Sequence, residues 1–172
     1  MKMTTPNKMQ EIAIEKVVLS VGGIAEELEK GYKLLSRLTG KKPARRKSKK
    51  RIPSLNVRPG LEVGCLVTLR GKQAEEMLVR LLSAVDNQLK EKQFSENSFS
   101  FGIKEYIEIP GTEYYRDIGI TGFDVTVSFA RPGKRIARRK IKMGKLPKRH
   151  HISPQEIIKF MEDKFKIQLK EK

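Results

Sequence analysis

Hydrophobic and polar residues alternate along several segments of the chain, the pattern of β-strands that bury one face and expose the other. The alternation is clearest in residues 122–130 and 61–70. Shorter apolar runs indicate further strands at residues 12–19, 99–103 and 106–109. Because half-buried strands of this kind are typical of antiparallel sheets, we predict a mainly antiparallel sheet.

Three other segments repeat their apolar residues every three or four positions, which is the spacing of an amphipathic helix. The first occupies residues 24–38 and is followed by Gly40, and the second occupies residues 74–89. The third, predicted at residues 153–166, begins with a cap serine, a first-turn proline and a glutamate three residues after the cap. Each helix has one apolar face, so we expect the helices to pack on one face of the sheet.

Positive charge is concentrated in two segments that fall outside this pattern. Residues 41–58 hold nine Lys and Arg and residues 131–149 hold ten, with no Asp or Glu in either segment. The remaining 18 basic residues are balanced by 20 acidic ones. Prolines at positions 43, 53 and 59 discourage regular structure, so 41–58 is predicted to be a long exposed loop.

The second basic segment follows directly on the strand at residues 122–130 and is predicted to form a basic arm over residues 131–151, which leads into the C-terminal helix. The predicted fold class is therefore α+β, with a mainly antiparallel sheet, helices on one face, a long basic loop and a basic arm ending in a helix. The length suits a single domain spanning residues 1–172.

Two unshielded blocks of positive charge on a neutral body indicate binding to a polyanion at two places, and nucleic acid is the first candidate. No apolar run approaches the roughly 18 residues of a membrane-spanning helix, so no membrane contact and a cytoplasmic location are expected. The sequence has no nucleophile and base close together, no paired carboxylates and no phosphate-binding loop. Nothing in it therefore indicates an enzyme.

No cofactor or metal site is expected. Cys65 stands alone within an alternating apolar run, where a small buried hydrophobe is the usual role. His150 and His151 are adjacent and the chain has no third histidine, so contact with phosphate is a better interpretation than metal binding.

Several motifs resemble a known family in their order and spacing. They are KVVL at 16–19, LLSRLTGKKP at 34–43, VTLRG at 67–71, FSFGI at 99–103, IEIPG at 107–111, IGITGFDV at 118–125, RPG at 131–133, IARRK at 136–140 and PKRH at 147–150. The chain resembles universal large-subunit ribosomal protein five, numbered eleven in the older eukaryotic scheme. The segment after residue 131 is similar to archaeal members.

The resemblance implies a structural constituent of the large ribosomal subunit that binds 5S rRNA and large-subunit rRNA and helps to form the central protuberance. It also implies neighbouring ribosomal proteins as partners, including a small-subunit protein across the subunit boundary. A loop at the place of residues 41–58 would reach the peptidyl-site tRNA. The alternative that the residues leave open is a free-standing nucleic-acid-binding module.

The resemblance also suggests site residues. Family contacts to 5S rRNA match Ser20, Lys41 and Thr68, although the family commonly has Asn in place of Ser20 and Gln in place of Lys41. The loop residues expected to contact tRNA or rRNA, mainly through phosphates, are Arg45, Arg46, Lys47, Lys49, Lys50 and Arg51. The arm residues expected to contact rRNA are Arg131, Lys134, Arg135, Arg138, Arg139, Lys140, Lys148 and Arg149.

Overall fold

Six strands form one antiparallel sheet in the computed structural model, which describes residues 7–170. The strands of this sheet are β1 (Ala13–Gly22), β2 (Ala44–Lys47), β3 (Glu62–Leu69), β5 (Phe94–Ser95), β6 (Ser98–Ile103) and β7 (Phe123–Ala130). They lie in the order β2-β3-β1-β7-β6-β5. Two further short strands, β4 (Gln88–Leu89) and β8 (Gln168–Leu169), pair in parallel. The predicted α+β class with a mainly antiparallel sheet is confirmed.

Three helices cover one face of the sheet: α1 (Glu26–Thr39), α2 (Lys72–Ser83) and α3 (Pro154–Phe165). Their apolar residues share one hydrophobic core with the inward residues of the strands. At one end of this core the ring of Phe160 in α3 meets the ring of Phe129 in β7 edge to face, with centroids 5.8 Å apart. The prediction that helices pack on one face is confirmed, and the buried aromatic residues of β6 and β7 belong to the core.

A close approach between α1 and β1 depends on a glycine. A Cβ atom placed on Gly31 would lie 2.6 Å from Cγ1 of Val21, a distance that real side chains do not adopt. The helix ends where predicted, because Gly40 adopts a left-handed conformation with φ of 64° and its amide donates to the carbonyl of Ser36. Sequence signals for the beginning of α3 are also confirmed, since Ser153 and Glu156 form a reciprocal capping box.

Two predicted elements are wrong in part. Helix α2 ends at Ser83 rather than near residue 89, because Asp86 and Asn87 both adopt positive φ and turn the chain into β4. The run at residues 106–109 is a turn of 3₁₀-helix over Tyr106–Glu108 rather than a strand. The hydroxyl of Tyr106 accepts a hydrogen bond from the amide of Tyr115, so this turn packs on the loop that follows it.

The basic loop is more ordered than predicted. Its residues Ala44–Lys47 form β2, an edge strand that pairs with β3. Farther along, Ile52 pairs with Val57 around a 3₁₀ turn, and Val57 is buried. The prediction of an irregular loop is therefore wrong for these residues, whereas exposure of the basic side chains is confirmed. Charged residues are common on edge strands, which is why the polar pattern concealed β2.

Candidate nucleic-acid interface

The helices leave the other face of the sheet uncovered. Side chains alternate along each strand, so every second residue points away from the helices and is half-buried or exposed. We call this surface the open face, and its residues are Lys16, Val18 and Ser20 of β1, Ala44 and Arg46 of β2, Gly64, Leu66 and Thr68 of β3, Ser98, Ser100 and Gly102 of β6, and Asp124, Thr126 and Ser128 of β7. It is rich in hydroxyl groups.

Strand register brings two of the predicted site residues together on the open face. Thr68 of β3 pairs with Val18 of β1, and Ser20 of β1 pairs with Leu66 of β3. Ser20 and Thr68 are therefore diagonal neighbours with side chains on the same face. On its other side Ser20 pairs with Asp124 of β7. The result is a cluster of two hydroxyls and one carboxylate at the middle of the sheet.

Lys41 lies at the margin of the same face. It directly follows Gly40, the residue that ends α1, and it is exposed. Three residues later Ala44 begins β2 opposite Leu66 of β3. Because β2 runs antiparallel to β3, the chain between Lys41 and Ala44 lies beside the end of β3 that carries Thr68. Ser20 and Thr68 thus lie on the open face, and Lys41 lies at the edge of the sheet between the end of α1 and the beginning of β2.

This arrangement suits recognition of RNA sugars and bases as well as phosphates. Serine and threonine hydroxyls both donate and accept hydrogen bonds, and the lysine ammonium is a point charge that attracts phosphate. The carboxylate of Asp124 only accepts, which fits a ribose 2′-hydroxyl or a base amino group rather than a phosphate. The open face is therefore a mixed surface and not simply a cationic one.

The basic side chains of the loop have three kinds of surroundings. The first kind is found at Arg45. This residue pairs with Cys65 on the helix side of the sheet, and its guanidinium donates to Glu29 at 2.6 Å and to Glu62 at 2.9 Å. It also lies over the ring of Tyr32, 5.2 Å from the centroid. The hydrogen bond to Glu62 and the charge of Glu29 raise the pKa of Arg45. Its charge is already compensated within the fold.

The second kind is found at Arg46, which pairs with Gly64 and so faces the open side of the sheet. The third kind is found at Lys47, Lys49, Lys50 and Arg51, which are exposed. None of these five side chains forms an ion pair with another described residue. They remain available for an external polyanion.

The basic arm is anchored to the body of the protein by carboxylates outside it. A bulge in β1 places Glu15 against the arm, where it pairs with Lys134 at 2.6 Å and with Arg138. Arg131 donates to Glu156 of α3 at 2.8 Å and to the carbonyl of Arg149 at 3.2 Å. The side chain of Arg131 is only 13% exposed, so it is a structural residue of the arm as well as a candidate contact.

Other basic residues of the arm point outward. Arg135, Lys140, Lys148 and Arg149 are exposed, and within residues 7–170 their side chains form no ion pair. Arg139 is also exposed, and its guanidinium donates to the carbonyl of Lys142. The eight predicted arm residues thus separate into three that hold the arm in place and five that present charge to a partner.

The anchoring carboxylates have perturbed pKa values. Burial by itself would raise the pKa of Glu15, but hydrogen bonds from Lys134 and Arg138 outweigh it and lower the pKa from its ordinary 4.5. The pKa of Glu156 is lowered by the hydrogen bond from the amide of Ser153 and by the charge of Arg131. Both carboxylates are therefore held ionised in the folded protein.

We expect the anchoring of the arm to depend on pH. A carboxylate with a depressed folded-state pKa stabilises the fold above its unfolded pKa, and this stability is lost as the pH falls through the folded value. Glu15→Gln is therefore expected to destabilise the protein by about 1–3 kcal/mol at pH 7 and by progressively less as the pH falls below 4.5, the ordinary pKa of the carboxyl. Thermal unfolding of both forms across this range measures the difference.

Glu75→Gln is a suitable control, because Glu75 pairs with Lys164 on the exposed helix surface and such pairs contribute little. A difference between wild type and Glu15→Gln that stays constant from pH 7 to pH 3 would contradict the proposed anchoring.

Comparison with known proteins identifies the family. A model described as "Ribosomal protein L5" matches residues 7–58, and a second model, which describes the C-terminus of the same ribosomal family, matches residues 62–150. The chain belongs to the ribosomal protein L5 family. The first match includes Ser20, Lys41 and the basic loop, and the second includes Thr68 and most of the arm.

Archaeal members of the L5 family are similar to almost the whole chain. The large ribosomal subunit protein uL5 of Nanoarchaeum equitans is 44% identical over 164 residues, which are 94% of this chain and 97% of the relative. The protein of the same name from Sulfurisphaera tokodaii is 43% identical over 171 residues, 97% of each chain. That from Methanobrevibacter smithii is 39% identical over 164 residues, 94% of this chain and 96% of the relative. The resemblance inferred from the motifs is confirmed.

As an L5 family member the chain is a large-subunit ribosomal protein and not an enzyme, as predicted. Membership also confirms the expected location on the cytoplasmic ribosome. Within residues 7–170 no helix is long and apolar enough to cross a membrane, and no three metal-ligating side chains cluster. Burial raises the pKa of the Cys65 thiol, so this L5 protein carries an unreactive cysteine.

Sequence reasoning did not include most of the open face among the candidate residues. Thr126, Ser128 and Ser100 carry hydroxyls on the same face as Ser20 and Thr68. The signal was present, because the alternation in residues 122–130 places the polar side chains opposite the buried face. Only the strand order shows that these residues continue the surface formed by β1 and β3.

Proposed function

We propose that the open face and Lys41 bind 5S rRNA. Ser20 and Thr68 supply adjacent hydroxyls, Lys41 supplies charge at the margin, and Arg46 extends the same surface across the edge strand. The main observation behind the proposal is that Ser20 and Thr68 are diagonal neighbours on a face of the sheet that no helix covers. An uncovered sheet face can hold a structured RNA through sugars, phosphates and base edges together.

The outward residues of the basic loop serve a different partner in this proposal. Lys47 at the end of β2 and Lys49, Lys50 and Arg51 after it contact the backbone of the peptidyl-site tRNA or neighbouring rRNA. Arg135, Arg139, Lys140, Lys148 and Arg149 of the arm contact large-subunit rRNA. The protein thereby helps to form the central protuberance, beside neighbouring ribosomal proteins that include one of the small subunit.

A competition titration tests the 5S rRNA assignment. The purified chain is titrated with 5S rRNA at near-physiological salt in the presence of excess unrelated duplex RNA. Saturable one-to-one binding that survives the competitor is expected, because hydroxyl and carboxylate contacts read more than phosphate charge. Complete displacement by the duplex RNA would contradict the proposal and would favour the free-standing nucleic-acid binder.

A further inference from the structure

Two apolar side chains project into solvent from the middle of the basic arm. Ile141 is 79% exposed and Met143 is 72% exposed, the two largest values for any large apolar side chain in residues 7–170. Ile136, in the same segment, is also exposed. Single exposed apolar residues are ordinary on protein surfaces, but a group of them in one segment is typical of a surface that a partner covers.

These residues belong to a loop whose shape is stabilised by contacts within the chain. We call it the arm loop, residues 136–144. Its two ends meet, because the amide of Gly144 donates to the carbonyl of Ile136 at 3.2 Å. A Cβ atom on Gly144 would lie 2.9 Å from Cγ2 of Ile136, so the close approach requires glycine.

Two further features order the interior of the arm loop. Lys142 adopts a left-handed conformation with φ of 52°, and its carbonyl accepts a hydrogen bond from the guanidinium of Arg139. The exposed apolar side chains on either side of Lys142 are therefore held in place before a partner binds, which lowers the entropy cost of binding.

Positive charge surrounds the apolar side chains of the arm loop. Arg139, Lys140, Lys142 and Lys145 are exposed, and none of them forms an ion pair within the described part of the chain. The arm itself contains no Asp or Glu between residues 131 and 149. The partner that best fits this surface is anionic around an uncharged centre.

We propose that Ile141 and Met143 contact the faces of unstacked bases in large-subunit rRNA, while the surrounding basic side chains bind phosphates. RNA combines the two required chemistries, because its backbone is anionic and its base faces are uncharged. RNA is favoured over an acidic protein surface because the arm loop is continuous with Arg135 and Lys148, which the proposed function assigns to rRNA. The inference rests on that assignment and goes beyond it, since phosphate contacts carry no sequence information.

Such a contact restricts the kind of RNA that the arm recognises. In a regular A-form duplex the bases are stacked, and the deep major groove excludes side chains. Base faces are accessible in loops, bulges and strand ends. The arm loop therefore directs the protein to an irregular element of rRNA and not to plain duplex.

The test compares binding of the full-length chain to large-subunit rRNA transcribed in vitro and to a plain RNA duplex. Ile141→Ala combined with Met143→Ala is expected to lower the affinity for rRNA by about tenfold, because most of the covered apolar surface is lost. The salt dependence and the affinity for the duplex should stay those of wild type, since no phosphate contact is removed. Both side chains are exposed, so the melting temperature should not change.

Reactivity of the rRNA bases toward dimethyl sulfate gives a second measurement, which a purely phosphate-binding arm would not alter. Reactivity is compared for free rRNA and for rRNA saturated with wild type or with the double alanine variant. Wild type is expected to protect bases that the variant leaves reactive.

Two control variants separate the possible results. Val79→Ala combined with Ile120→Ala removes exposed apolar surface outside the basic segments and should bind rRNA as wild type does. Lys140→Gln combined with Lys142→Gln keeps the apolar side chains. It should reduce the slope of log affinity against log salt concentration by roughly 0.7–0.9 for each lost contact.

Wild-type affinity for rRNA in the double alanine variant, or an equal loss of affinity for the duplex, would overturn the inference. If the lysine variant then has a reduced slope, the proposed contact of the arm with rRNA stands and only the apolar contact fails. If neither variant differs from wild type, both proposals fail. Unchanged rRNA binding with weaker incorporation into assembled large subunits would indicate a protein partner, which also overturns the base contact.

Discussion

Replacing Ser20 and Thr68 together by glutamate is expected to lower the affinity for 5S rRNA by about 100-fold. Each new carboxylate would face RNA phosphates across the open face, and a penalty of roughly 1.4 kcal/mol corresponds to a factor of ten. Removing only the hydroxyls, with Ser20→Ala and Thr68→Val, should cost less, about 0.5–1.5 kcal/mol per hydrogen bond. Binding isotherms at fixed salt measure both effects.

The control for this experiment places the same charge on the helix layer. Ser83→Glu and Gln73→Glu change exposed residues of α2, on the far side of the sheet from Ser20. They should leave the affinity for 5S rRNA within about twofold of wild type, apart from the small effect of net charge. Thermal unfolding of each variant verifies that the fold persists. Wild-type binding by the double glutamate variant would rule out the open face as the site.

Replacing Lys47, Lys49, Lys50 and Arg51 by glutamine is expected to impair tRNA binding much more than 5S rRNA binding. These side chains extend past the open face, so the affinity for 5S rRNA should fall by less than about threefold. Retention of peptidyl-site tRNA on ribosomes assembled with the variant should fall by at least about tenfold, because four side chains lose their phosphate contacts. Each lost contact should also reduce the slope of log affinity against log salt concentration by roughly 0.7–0.9. Arg45 and Arg46 stay unchanged, so the variant alters only Lys47, the last residue of β2.

Four lysines outside the two basic segments provide a control of equal charge. Lys72, Lys90, Lys92 and Lys159 are exposed, and none forms an ion pair in the described part of the chain. Their replacement by glutamine should leave tRNA retention unchanged. Equal loss of 5S rRNA and tRNA binding in the loop variant would mean that the loop acts as a general electrostatic patch rather than as a separate site.

Local signals predicted much of the fold correctly. The cap residues Ser153 and Glu156 determine where α3 begins, and Gly40 determines where α1 ends, because capping hydrogen bonds and left-handed backbone are properties of a few adjacent residues. Alternation likewise located β7 to within one residue. These features depend on periodicities of two and 3.6 residues, which are visible in any single sequence.

Elements that depend on distant partners were not predicted. Strand β2 carries almost no apolar signal, and Arg45 within it is held by Glu29 and Glu62, which lie in α1 and β3. The bulge that brings Glu15 to the arm depends on the pairing of β1 with β7, more than 100 residues later. Neither pairing follows from local propensity, because cross-strand contacts override it.

The candidate site likewise combines features that local sequence shows with features that depend on distant residues. By itself, the sequence determined the family, the α+β class and the two basic segments, and it proposed Ser20, Lys41 and Thr68 as candidate contacts, because motifs, periodicity and charge can be read along the chain. Only the tertiary structure decided that Ser20 and Thr68 are diagonal neighbours and that Arg45 and Arg131 form ion pairs within the fold. Those relations arise from strand register and side-chain packing, which join residues that are far apart in the sequence.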